Sequence, residues 1–408
     1  MSTAAMNMSS IPDLLVAIAR IGRQNPFPPC LRDVEIFRDW HNAKGLKRKL
    51  LERRDGSATR REILTRFLLL NAVIDQGPDM IGVRRLVVDV TNQLYRREIR
   101  FLHDPVAFFK EVGIAVNAIK TTHDVIAKER AGDWAKLNQS TATKYNLFID
   151  GTKQVLQYAI FRWGMPLAVP LLLIRHLAEK SQNDREKDRL TSTALLDYLE
   201  TYPSSEEMSQ QLKSHEIYGL GKAIGNKAAH LFAKWMVSSH KLARLSDLGW
   251  KDFSFEIPFD SNLGRVLWRT GFLLACASQA DYVAKNVIQK AGGKGGKHYI
   301  RVTNIRGMGI TQNIPKNWRT AYQELCVRHL KSHKRLPKKV EIQKLLSSVL
   351  FACKTADNYT PAELDDGLMH IGTTYCFNTD TPQCDICAIN KLCSAANGAQ
   401  ILIEDFAT

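Results

Sequence analysis

Four cysteines near the C-terminus, Cys376, Cys384, Cys387 and Cys393, fall in one short window with the spacing C-x7-C-x2-C-x5-C, and they account for half of the chain's eight cysteines. Such clustering is the signature of a metal centre, and it requires a fold that holds a loop of thiolates closed on itself. Cys384 and Cys387 can reach one centre from a single tight turn, while Cys376 and Cys393 close the coordination from either side. Thiolates suit zinc or iron with sulfide. Structural zinc sites more often use two C-x2-C knuckles. One knuckle with two solitary outer ligands favours an iron–sulfur cluster, with zinc as the alternative.

The 408-residue chain carries 57 Lys and Arg against 41 Asp and Glu, a formal charge of +16, which points to a polyanionic partner with nucleic acid foremost. Its hydrophobic content of 45% fits a folded protein with a proper core. No apolar run is long enough for a membrane span. The greasiest segment, GMPLAVPLLLI at 164–174, is short, contains two prolines and reads as a core helix beginning near Pro170. Cys30, Cys276, Cys326 and Cys353 are scattered without a secretory signal, which favours a reducing, intracellular setting.

Apolar residues recur every three or four positions through REILTRFLLLNAVI (61–74), MIGVRRLVVDVTNQLYRR (80–97) and GTKQVLQYAIFRW (151–163), and strand-like alternation is sparse. The expectation is a mostly α-helical protein. Residues 44–61 carry eight basic side chains against two acidic ones, fitting either a solvated face or a phosphate-contacting segment. Residues 289–297, QKAGGKGGK, read as a flexible basic linker and RGMGI at 306–310 as a turn. The expected organisation is a basic N-terminal extension (1–60), a helical core (61–288), a linker (289–315) and a C-terminal helical region ending in the cysteine loop (316–408).

Before that linker, IYGLGKAIGNKAAHLFAKWMV (217–237) places glycines in a turn and then starts an amphipathic helix at about Asn226. A turn of this kind can aim backbone N–H groups at a phosphate, or can simply join two helices. Farther on, FEIPFDSNLGRVLWRTGF (255–272) sets Asp260 at a helix start with Arg265 and Arg269 one turn apart. Asp260 is a natural N-cap; facing a substrate pocket, it could also stabilise a cationic transition state.

The segments AIGNKAA (223–229), PFDSNLGRVLWRTG (258–271) and LMHIGTTYCFNTDTPQCDICAINKLC (368–393), taken in this order, resemble the helix-hairpin-helix DNA glycosylase superfamily, specifically its endonuclease III-like branch with a four-iron, four-sulfur cluster. The resemblance frames the chain from about residue 60 to 393. It implies two helical lobes with a helix-hairpin-helix motif and a C-terminal cluster loop ligated by the four cysteines. It also implies a catalytic lysine at Lys227 and a catalytic aspartate at Asp260. DNA contacts fall on Gly225 and Asn226 of the hairpin, on Arg265, and on Gln76 as the residue entering the gap left by an extruded base. Three departures stand out. Ala223 occupies the first hairpin glycine, the interval from Lys227 to Asp260 is long, and the first cysteine gap is one residue longer than the family's and holds no Lys or Arg.

What the resemblance implies in function is a monomeric, DNA-associated base-excision glycosylase with lyase activity on double-stranded DNA bearing a damaged or modified base. The neighbouring readings are a monofunctional glycosylase in which Asp260 activates water, a catalytically silent reader of modified DNA, and a zinc-containing structural or regulatory DNA-binding protein. The base itself is set by a pocket that no short motif reports.

Overall fold

The computed structural model describes residues 6–43, 45–75, 80–125, 160–181, 183, 185, 194–243, 250, 254–292, 298–302, 305, 308–310, 314–332, 334–376 and 382–397. The protein is mostly helical with few strands, as the periodicity leads one to expect. The chain divides into two compact units, one made of Met1–Phe27 with Lys251–Thr408 and the other of Pro28–Trp250. The division therefore falls neither at residue 60 nor in the glycine-rich stretch, and the first 27 residues fold with the cysteine loop.

Helix α1 (Ile11–Gln24) opens the chain with Pro12 in its first turn, where the missing N–H costs nothing. The Pro28–Trp250 unit then builds on α2 (Arg60–Ile74), α3 (Met80–Tyr95), α4 (Pro105–Glu111), α5 (Ile160–Lys180), α6 (Ser205–Ser214) and α7 (Gly221–Ala233). Helix α2 packs against both α5 and α7 and is buried on every side, so it has no solvent face although its sequence carries Arg61, Glu62 and Arg66. Those charges are spent internally. Glu62 accepts from Arg66 Nε at 2.8 Å and from the backbone N–H groups of Leu195 and Leu196 at 3.3 and 3.0 Å. Arg66 donates to the carbonyl of Leu102 at 2.9 Å, and Arg61 to that of Leu242 at 2.6 Å. Buried charges persist only when paired in this way.

The basic stretch 44–61 shows the same economy. Arg48 donates to the carbonyls of His240, at 2.8 Å, and Lys241, and Arg60 lies over the Trp40 ring. Part of this run thus serves internal acceptors. Helix α5 begins at Ile160, ahead of Pro170, and continues through both Pro166 and Pro170. Two ladder hydrogen bonds are forfeited there, and the helix holds because Trp163, Met165 and Leu167–Val169 are buried. Among the described residues no helix is long and apolar enough to cross a membrane.

The other unit resumes with α8 (Ser261–Arg269), followed by an antiparallel hairpin of β1 (Ile288–Gly292) and β2 (His298–Val302) in the register Ile288↔Val302 to Gly292↔His298. The stretch read as a flexible linker therefore begins inside a strand, Gln289–Gly292 pairing with His298–Arg301; residues 293–297 lie outside the described set. A Cβ on Gly264 would meet the carbonyl oxygen of Val302 at 2.1 Å, so only glycine lets α8 and β2 approach so closely. The RGMGI segment likewise contains a short strand, β3 (Gly309–Ile310), paired with β4 (Val340–Glu341). Helices α9 (Lys316–Leu330), α10 (Ile342–Cys353) and α11 (Pro361–Thr374) complete the unit, with α1 packed along α11.

Candidate metal centre and candidate active-site residues

Helix α11 ends at Thr374, and Cys376 follows, its N–H donating to Ile371 at 2.8 Å. Cys384 and Cys387 are joined by a tight turn in which the Cys387 N–H donates to the Cys384 carbonyl at 3.1 Å. A short 3-10 turn, Asn390–Leu392, then brings Cys393 back, with its N–H on the Asn390 carbonyl at 3.2 Å. All four cysteines line one cavity, which also meets Arg269, Tyr375 and Ile389. None of the four is in a disulfide.

Two features bear on what such a cavity can hold. Among the described residues, no three of these sulfurs lie within 4.8 Å of one another. Hydrogen-bond donors also point at the sulfurs. Arg269 Nη1 lies 3.4 Å from Cys376 Sγ. Burial pushes the thiols of Cys384, Cys387 and Cys393 up, but the N–H of Ile389 at Cys387, and those of Ala396 and Ala395 at Cys393, pull toward the thiolate. Donors arranged around sulfur stabilise the anion that metals bind.

Helix α8 links this cavity to Asp260. The Asp260 Oδ1 accepts from the N–H groups of Asn262 at 2.9 Å and Leu263 at 3.1 Å, so the carboxylate is the helix N-cap. It remains half-buried. Nine residues on, the same helix ends at Arg269 in the cavity wall. Arg265 lies between them and is 4% exposed. Its Nε donates to the Cys376 carbonyl at 2.7 Å and its Nη2 to Gly372 at 2.9 Å and Asn262 Oδ1 at 2.8 Å. Burial pulls this guanidinium below its usual range. The sequence suggested Arg265 as a DNA contact; its donors instead brace α8 to the start of the cysteine loop.

Lys227 belongs to the Pro28–Trp250 unit and Asp260 to the other. Helix α7 starts at Gly221, five residues before the expected Asn226. The turn lies upstream, between α6 and Gly221, where Gly221 has φ +64° and a Cβ on Gly219 would meet the His215 carbonyl oxygen at 2.3 Å. Gly225 and Asn226 are therefore the fifth and sixth residues of the helix, past the first four N–H groups that a helix leaves unbonded. Lys227 is half-buried inside α7, and its Nζ donates to the Asp75 carbonyl at 3.4 Å. Asp75 ends α2 and is itself buried, with Oδ2 at 3.3 Å from Arg84 Nη2. Neither Asp75 nor Arg84 stood out in the sequence, although Asp75 immediately precedes Gln76, the expected wedge, which lies outside the described residues. Comparison with protein-family models, curated proteins and solved structures finds no match to this chain.

Proposed function

We propose that the protein is a DNA base-excision glycosylase with associated lyase activity, acting on duplex DNA with a damaged or modified base, and that its four-cysteine cavity takes a four-iron, four-sulfur cluster. The cavity carries the reading. A single tetrahedral zinc with Zn–S bonds of about 2.3 Å would draw all four sulfurs to about 3.8 Å from one another. Four cysteines that line one cavity, with no three sulfurs mutually within 4.8 Å, suit a cluster in which each ligates a different iron. Held by Cys376, Cys384, Cys387 and Cys393, that group would close the C-terminal loop on itself and would supply no redox step to base excision.

The remaining chemistry belongs to side chains. The target nucleotide must leave the stack before its glycosidic carbon can be reached. Lys227, as the neutral amine, attacks that carbon while the base departs with the bonding electrons. The proton released by the amine passes to the departing base, and opening of the sugar ring, whose oxygen leaves C1′ and takes a proton from water, gives a Schiff base. This makes the neighbouring sugar proton acidic, and its loss expels the 3′ phosphate by β-elimination. Asp260, ionised, stabilises the cationic sugar. The carbonyl of Asp75 accepts one N–H of Lys227 and so orients the amine. The chain's +16 charge supports a polyanionic substrate.

Borohydride reduction in the presence of lesion-bearing and abasic duplexes tests this reading. The wild-type protein is expected to give a covalent protein–DNA adduct, and Lys227→Ala to lose it by about 100-fold or more, as expected when a covalent nucleophile is removed. Release of free base without an adduct would make the enzyme monofunctional. Duplex binding without turnover on any lesion would make it a silent reader.

A further inference from the structure

Between α9 and α10 the chain concentrates positive charge. From Leu325 to Val340 it carries Arg328, Lys331, Lys334, Arg335, Lys338 and Lys339 and no acidic residue. Lys331, Lys334, Arg335, Lys338 and Lys339 are all exposed. Among the described residues, the side chains of Lys331, Lys334, Arg335 and Lys338 have no hydrogen-bond or ion-pair partner. Arg328 is differently placed, lying over the Phe351 ring. The next acidic side chain, Glu341, pairs with Lys344 at 2.9 Å.

The backbone that presents these charges is tied at both ends. At one end the N–H of Lys331 donates to the Cys326 carbonyl and caps α9, with Lys331 in the left-handed region at φ +48°, where glycine is the usual occupant. At the other, β4 pairs with β3, and the Ile342 N–H donates to Met308 at 3.0 Å. The stem of Lys339 lies against Gly309, where a Cβ would meet it at 2.5 Å. Pro337 further stiffens the connection. Like charges gathered on a short tethered loop raise the local positive potential, which favours an anionic partner.

We propose that the α9–α10 connection, residues 331–339, is a sequence-independent contact for the phosphate backbone of nucleic acid, with Lys334, Arg335 and Lys338 as its principal cations. The proposal rests on the DNA reading above and adds a second foothold outside the base-excision residues. The exposure of these cations keeps them hydrated until counterions are displaced, the mode that non-specific binding uses.

The test compares wild-type protein with the triple variant Lys334→Gln, Arg335→Gln, Lys338→Gln in binding an undamaged duplex over a salt series, with far-UV circular dichroism to establish the fold. A second variant, Lys334→Arg with Lys338→Arg, keeps the charge and changes the side chains. The neutralised variant is expected to lose about 10- to 100-fold in affinity at low salt, and its log K against log salt slope should flatten by about 2 to 3. The arginine variant should match the wild type. Wild-type binding with an unchanged slope in the neutralised variant overturns the proposal and leaves the DNA reading standing. A wild-type protein that binds no duplex overturns both. Loss of binding to phosphatidylserine vesicles, with duplex binding unchanged, assigns the loop to a membrane surface and likewise overturns it.

Discussion

If the cavity holds the proposed cluster, substituting Cys384 with serine is expected to abolish its visible absorption and to destabilise the Met1–Phe27/Lys251–Thr408 unit by on the order of 3–5 kcal/mol or more, since metal-site free energies of about 10 kcal/mol and above are folding free energies in small metal-bound elements. The cysteine loop has little else to hold it. Between Cys376 and Asn397 the described residues with little exposure are Ile389 and Cys393, and Ile386 stands 67% exposed in the turn between two ligands. Its other anchors include Arg265 on the Cys376 carbonyl, Arg269 Nη1 at 3.4 Å from Cys376 Sγ, and the N–H groups of Ser394 and Ala395 on the carbonyls of Thr270 and Arg269 at 3.5 and 3.1 Å. Hydrogen–deuterium exchange in the variant should therefore rise first over 382–397 and at the end of α11. Protection unchanged there would mean that the cysteines bind nothing of structural weight.

A second large effect is expected from Gly22→Ala. A Cβ at Gly22 would lie 1.8 Å from the carbonyl oxygen of Glu363 and 2.5 Å from the N of Gly367, both backbone atoms of α11. Gly367 returns the contact, since its own Cβ would meet the Ile18 carbonyl oxygen at 2.0 Å. Backbone cannot rotate away as a side chain can, so α1 must lift. The cost is expected at about 3 kcal/mol, the upper part of the range for overpacking. Lifting α1 also disturbs Arg23, which pairs with Glu363 at 2.7 Å, donates to the Asp357 carbonyl at 2.8 Å and covers the Tyr359 ring. Chemical denaturation should show a lowered midpoint. Limited proteolysis should cut after Arg20 or Arg23, sites that α1 otherwise protects. A midpoint equal to the wild type's would contradict the close packing of α1 on α11.

The helical class was legible because α2 and α3 repeat their apolar residues at helical spacing, while of the third such segment, 151–163, only the last four residues lie among those described, at the start of α5. Less legible was what local pattern does not encode. The glycine pair of the turn before α7 is Gly219 and Gly221, but Gly225 inside the helix imitates a turn residue and draws the expected start downstream. Pro166 and Pro170 announce a helix break that burial overrides. Glycine and lysine in 289–297 hide a strand pairing that depends on Ile288 meeting Val302 and on β2 reaching Gly264. Docking of α1 on α11 joins residues more than 300 positions apart, and nothing in either segment alone requires it.

For the site, the cysteine spacing foretold a common cavity because its ligands are close in sequence. Asp260 was readable as a helix cap for the same reason. Arg265 was not readable as a brace, since a cation one turn into a helix looks the same whether it meets phosphate or the carbonyls of Gly372 and Cys376. The neighbour of Lys227, the Asp75 carbonyl, lies 152 positions away and belongs to the backbone, which carries no residue signature.

Iron, zinc and acid-labile sulfide, measured together on protein purified without air, test the central claim most directly. About four iron and four sulfide per chain, lost together in Cys384→Ser, is the predicted result. One zinc per chain without sulfide, or no metal at all, would contradict it.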